Sequence, residues 1–178
     1  RIALAVLSLG GDPTAFGTKP DGTAIDLIAD GTYNFGEKEL GLQGLNGWIW
    51  ALIALDASGV DVPEDARYSQ QDMIDAIINA QNDDGSFALD SGSGDVDITA
   101  MTLTALAPYT GEAAVQAAVD EALALLSDAQ LSNGGFASWG TENCESAAQV
   151  LVALTSLGID PLTDSRFIKN GASVPDAV

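Results

Sequence analysis

The sequence predicts an all-α chain built as an incomplete α/α toroid, about three and a half helical hairpins arranged in an inner and an outer layer. Three observations carry that expectation: a motif that returns after 49 residues, a helix stop signal with a period near 50, and two alternating kinds of apolar segment. The motif is Gln81-Asn82-Asp83-Asp84-Gly85-Ser86-Phe87-Ala88, which returns as Gln130-Leu131-Ser132-Asn133-Gly134-Gly135-Phe136-Ala137. Self-similarity at this period marks an array of supersecondary units, so the fold is read from the unit.

Residues 2–9 are apolar almost without break and stop at Gly10-Gly11-Asp12-Pro13. Gly just past a helix end and Pro shortly beyond it are the usual stop signal. The same ending returns at Gly59-Val60-Asp61-Val62-Pro63 and at Gly158-Ile159-Asp160-Pro161, while a fourth segment closes at Pro108-Tyr109-Thr110-Gly111 without the Asp-Pro pair. These glycines divide one domain, 1–178, into approximate units 1–10 (partial), 11–59, 60–111, 112–158 and 159–178 (partial).

Segments 48–55, 100–106 and 147–157 are apolar on nearly every side, as a helix buried all round must be. The helix expected from Ser69 is one-sided: Met73, Ile74, Ile77, Ile78 and Gln81 share a face, and Ser69 with Asp72 reads as a capping box with Asp in place of Glu. A second stripe is formed by Val115, Ala118, Val119, Ala122, Leu126 and Ala129, with Glu112, Gln116, Asp120 and Asp128 outside it. Alternating buried and amphipathic helices imply an inner set wrapped by an outer set. Residues 21–40 form a degenerate outer element with Phe35 standing 52 before Phe87, and Gln43-Gly44-Leu45-Asn46-Gly47-Trp48 mimics the motif out of phase. Another outer helix is expected near Ser165 or Arg166, followed by loop from 170 to 178, and no strand signal is seen.

The charge balance narrows function. Six basic residues stand against 26 acidic ones, net −20, with no His. Such a surface repels phosphate backbones and anionic lipid, so nucleic-acid and membrane-surface roles are disfavoured. Without His the commonest general base and zinc ligand are missing. The one cysteine, Cys144, forms no internal disulfide, and no apolar run reaches the roughly 20 residues that span a bilayer. The chain begins at Arg1 already in helical pattern, as a fragment of a longer protein would.

The repeated Q-x-x-(D/N)-G-(S/G)-F motif resembles the QW repeat of the terpene cyclase and protein prenyltransferase superfamily, and Asp95-Val96-Asp97-Ile98-Thr99-Ala100 looks like the D-x-D-D-T-A signature of class II terpene cyclases. More narrowly, Asp95 to Leu106 and Asn143 to Asp160 resemble the helical repeat domains of bacterial secreted or cell-wall proteins, which often accompany a small β domain related to cobalamin carriers. The resemblance gives Gln81, Gly85, Phe87, Gln130, Gly134 and Phe136 an architectural role. It places Asp97 where the cyclases hold their general acid, beside Asp95, but here Ile98 replaces the third Asp. The competing role is capping of the inner helix by Asp95 or Asp97. The prenyltransferase zinc site needs a His, and the thioester of complement-type toroids needs a Gln three residues after the Cys, whereas here the next is Gln149. Cys144 is therefore expected as a small buried residue behind an Asn143 cap. The acidic loops Asp83-Asp84-Gly85-Ser86 and 90–97 lack EF-hand spacing, and no metal site is expected.

In a toroid, the inner-helix N-termini face one mouth of the cavity, so Trp48, Asp97, Trp139 and Glu145 form the candidate ligand cup. The expected function is a non-catalytic binding or display domain of a bacterial extracellular or cell-wall protein, its partner a small molecule or protein, with self-association at open toroid edges. The alternatives are a cyclase-like enzyme using Asp97, or a cobalamin-binding module; no other cofactor is implied.

Overall fold

Helices dominate the computed structural model, which describes residues 1–178: six α-helices, with two short β-hairpins beside them. No helix is long and apolar enough to cross a membrane. The chain separates into two compact units, Arg1–Ile77 and Ile78–Val178.

The first unit holds α1 (Ile2–Ser8), α2 (Leu45–Ser58) and most of α3 (Gln70–Ile78). Its centre is α2, which buries Leu45, Ile49, Leu52 and Leu55 and ends at Gly59 in the left-handed conformation, as the stop signal implies. The degenerate outer element expected over residues 21–40 has no α-helix: residues 11–44 form turns, with 3-10 segments at Pro13–Ala15 and Leu40–Gln43. The local chemistry explains this: Asp12, Asp21 and Asp26 each accept hydrogen bonds from backbone amides two or three residues on, and such bonds compete with helix. The Arg67 guanidinium clamps this segment, donating to the carbonyls of Phe35, Gly36 and Lys38 at 3.0, 2.5 and 2.8 Å and to Glu39 Oε1 at 2.8 Å. Just after it the expected capping box opens α3. The Ser69 amide donates to Asp72 Oδ2 at 2.8 Å and the Asp72 amide to Ser69 Oγ at 3.1 Å. Met73, Ile74 and Ile77 are buried on the predicted face.

The second unit is centred on α4 (Val96–Leu106), of which only Val96, Asp97 and Thr104 escape full burial. It packs against α5 (Ala113–Ala129) and along α6 (Cys144–Ser156). Val115, Ala118, Val119, Ala122 and Leu126 of α5 are buried as the stripe predicts, joined by Leu123, but Ala129 at the helix end is exposed. The expectation of burial on every side fits α4 and is corrected for α6. There Val152 is 48% exposed, and Glu145, Thr155 and Ser156 face solvent. Besides α4, the chief neighbours of α6 are the short turn Val174–Ala177 and a hairpin, which leave one flank uncovered.

Both copies of the repeated motif make the same tie. Gln81 Nε2 donates to the Gly85 carbonyl at 3.0 Å and to the Ala118 carbonyl at 2.9 Å. Gln130 Nε2 donates to Gly134 at 3.0 Å and to Phe167 at 3.0 Å. In each case the acceptors lie 4 and 37 residues downstream. One amide group thus closes the loop and pins it to the next element, while Phe87 and Phe136 are fully buried behind it.

The absence of strand is corrected in two places. β1 (Phe136–Ser138) pairs antiparallel with β2 (Thr141–Asn143), and β3 (Ile168–Lys169) with β4 (Ala172–Ser173). Strands of two or three residues are too short to show alternation. The expected outer helix near Ser165 is a single 3-10 turn, Ser165–Phe167, and the expected terminal loop holds the β3–β4 hairpin and the turn Val174–Ala177. Phe167 and Val174 are fully buried, so this segment packs as an element despite lacking a helix.

Acid stability follows from the capping carboxylates. Hydrogen bonds hold eight carboxyls below the usual range, among them Asp72 from the Ser69 amide and hydroxyl, Asp84 from the Ser86 hydroxyl and amide, and Asp176 from the Ser173 amide and hydroxyl. A carboxylate depressed in the folded state adds stability that is present above its unfolded value near pH 4 and is lost as pH falls through the lower folded value. The melting temperature followed by circular dichroism is therefore expected to be flat from about pH 7 to about pH 5 and to fall below about pH 4. A rise on acidification would mean that relief of the −20 net charge outweighs these bonds.

Candidate functional site

The start of α4, the start of α6 and the β1–β2 hairpin meet at one end of the second unit. Asp95 caps α4: Oδ1 accepts from the Asp97 and Ile98 amides at 2.9 and 3.2 Å. Its other oxygen accepts from the Ser138 hydroxyl of β1 at 2.5 Å. The Asp95 amide donates to the Phe87 carbonyl at 2.9 Å, and the Phe87 amide to Thr99 Oγ1 at 3.0 Å, so the motif loop and the helix start are locked together. From β2 the chain enters α6 directly, with Asn143 as cap accepting from the Ser146 amide at 2.7 Å.

Of the residues that the sequence singles out, three belong to this region. Asp97 lies in the first turn of α4, its Oδ1 shielded and without a hydrogen bond. Glu145 lies in the first turn of α6 and is exposed. Trp139 sits at the hairpin tip. Trp48 belongs to the first unit, where it packs edge-on to Tyr68 with ring centroids 5.1 Å apart and lies so close to Gly41 that a Cβ there would fall 2.4 Å from its ring nitrogen. Cys144 corrects the expectation of burial: it is exposed, with Sγ 3.5 Å from Glu145 Oε2. As the first residue of α6 it precedes the turn whose Ser146 and Ala147 enter the core.

Trp139 is the least expected feature of the region. Ser138 pairs with Thr141, leaving Trp139-Gly140 as a two-residue loop with φ of 52° and 76°. Two positive φ values in sequence are the signature of a type I′ turn, whose first position favours Asn, Asp or Gly. A tryptophan there sits in strained backbone at a cost of about 1 kcal/mol. No burial offsets it, because the side chain is 93% exposed. The support beneath it is firm. Phe136 is fully buried, Ser138 is bonded to Asp95, and Asn133 Nδ2 donates to Glu142 Oε1 at 2.6 Å. Sequence reasoning includes Trp139 in the cup but misses the hairpin; Gly140 beside it is the available signal.

Elsewhere in this unit an open cleft of about 520 Å³ lies between the motif loop and α5, with Asp83, Asp84, Glu121 and Asp128 on its walls. Asp84 is engaged by the Ser86 amide and hydroxyl at 3.0 and 2.5 Å. No group of three or more Asp, Glu or Cys side chains is placed to hold a metal ion.

The cap can be separated from acid chemistry by substitution. Asp95→Ala is expected to cost about 2 kcal/mol, from the lost cap and from a half-buried region left with an unpaired Ser138 hydroxyl. Asp95→Asn keeps a capping oxygen and is expected to stay within about 0.5 kcal/mol of the parent in urea unfolding. Equal losses in the two variants would mean that the charge matters more than the cap.

No protein-family model, no curated protein and no solved structure matches the chain.

Proposed function

We propose that the chain is a non-catalytic binding domain of the α/α-toroid type, part of a bacterial extracellular or cell-wall protein, and that it meets its partner through Trp139. The observation that carries this reading is a large aromatic side chain held almost fully in solvent on strained backbone. Strain that folding does not reward, at a residue gripped by ordered structure, is characteristic of contact sites. Trp is also among the side chains enriched where binding energy concentrates. The test is retention on a panel of immobilised basic peptides, neutral glycans and cobalamin, comparing the chain with Trp139→Asn. At least one ligand is expected to retain the parent and release the variant; identical retention across the panel contradicts the reading.

A second reading, a cyclase-like enzyme, is favoured by one observation, the shielded and unpaired Oδ1 of Asp97. Its place at the start of α4 is the one that the resemblance assigns to the cyclase acid. Against it, Asp95 spends both oxygens on the cap and on Ser138, and Ile98 stands where the cyclase signature has its third Asp. Product formation from a polyprenyl substrate, abolished in Asp97→Asn, would establish the enzyme and displace the binding reading.

A further inference from the structure

We infer that Trp139 recognises a cationic side chain, the guanidinium or ammonium of a basic peptide segment on a partner protein; the inference rests on the binding role proposed for the hairpin. Two independent observations select this ligand class.

The first is how the protein treats its own arginines. It has three, and each lies over an aromatic ring: Arg1 over Trp50 at 4.5 Å, Arg67 over Tyr68 at 5.0 Å and Arg166 over Phe167 at 5.9 Å. Of the three tryptophans, Trp48 is packed on Tyr68 and Trp50 lies under Arg1, which leaves Trp139 with a free face. Indole is the strongest of the aromatic faces for a cation.

The second is charge. Between Arg67 and Arg166 the chain carries fifteen acidic residues and no Lys or Arg. Glu142 and Glu145, three and six residues beyond Trp139, are both exposed. The two basic residues of the second unit are already engaged: Arg166 is paired with Asp164 at 2.7 Å, and Lys169 Nζ lies 3.3 Å from Ser127 Oγ. A cation arriving from solvent therefore meets a predominantly negative surface and an unoccupied, almost fully exposed indole. The field speeds encounter, and the ring supplies a short-range contact that survives salt better than the field does.

The probes are a fluorescent nine-residue oligo-arginine peptide and a neutral glucan hexasaccharide, each titrated against the whole chain at about 20 mM and about 300 mM NaCl. The parent is expected to bind the peptide. Trp139→Asn and Trp139→Ala should bind it about three- to fivefold more weakly at both salts, and Trp139→Phe should fall between. Glu142→Gln and Glu145→Gln should each lose about twofold, and only at low salt. If the parent does not bind the peptide, or Trp139→Asn binds it as tightly as the parent, the cationic class is overturned. Should the hexasaccharide then bind in a Trp139-dependent way, the hairpin keeps its binding role with a different ligand. Indifference of both probes to Trp139→Asn overturns this inference and weighs against the reading on which it rests.

Discussion

Gln130→Ala is expected to destabilise the chain by about 3 kcal/mol in urea unfolding, one of the two largest single-residue effects anticipated outside the apolar core. The Gln130 side chain is buried, and its Nε2 serves two carbonyls at 3.0 Å each, Gly134 within the loop and Phe167 in the following turn. Truncation leaves both carbonyls without a donor, in a place where each lost partner costs about 1–3 kcal/mol, and opens a void. Gln130→Glu, nearly the same shape, is expected to be worse, because a carboxylate offers no N–H and faces two carbonyl oxygens. Gln81→Ala makes a useful contrast. The same two bonds exist there, but the side chain is only half-buried, so water can replace the donor and about half the loss is expected. Equal, small losses at both positions would mean that the tie does not fix the loop.

Gly134→Ala is the second, with an expected loss of about 3 kcal/mol. Its φ is 88°, and a Cβ would stand 2.2 Å from the Ser173 carbonyl oxygen, a backbone atom that cannot swing aside. Relief requires the β3–β4 hairpin to shift, and that hairpin is flanked by the buried Phe167 and Val174. At Gly85 φ is similar, 84°, but the nearest atom to a Cβ is the Glu121 carbonyl oxygen at 2.9 Å. Gly85→Ala also meets backbone, at a shallower overlap, and should cost about 2 kcal/mol, from backbone strain and a smaller shift of α5. The difference between the two glycines, read from urea midpoints at constant slope, reports the deeper overlap at Gly134.

The repeat was legible because each copy performs one job with the same atoms. Gln, Gly and Phe at fixed spacing correspond to a tie, a left-handed turn and a buried wedge, and all three are found at both sites. The capping box at Ser69, the Asn143 cap and the α5 stripe were legible for the same reason, since local hydrogen-bond geometry and helical period leave direct traces in sequence. The two hairpins did not. Asn170-Gly171 is a type I′ signal in its own right, with φ of 50° and 84°, but the strands it joins are two residues long and yield no pattern. At Trp139-Gly140 the signal is weaker still, because the residue at the first position is one that the turn disfavours. Exposure of Cys144 and of the Val152 flank was hidden for another reason: apolar composition says that a helix could be buried, and only the neighbours decide whether it is. That is also why the candidate site was half legible. Asp97 and Glu145 could be placed at helix starts from the period, and Trp139 in the loop before one, yet the strain that distinguishes Trp139 is a property of backbone dihedrals that no composition reveals.

The reading of Trp139 as a residue kept for contact has a direct test in the melting temperature of Trp139→Asn. Asn suits the left-handed first position of a type I′ turn and gives up no burial, so the variant is expected to gain about 1 kcal/mol and melt a few degrees above the parent. A variant that melts several degrees lower would show that the indole contributes to folding, and the case for Trp139 as the point of contact would be lost.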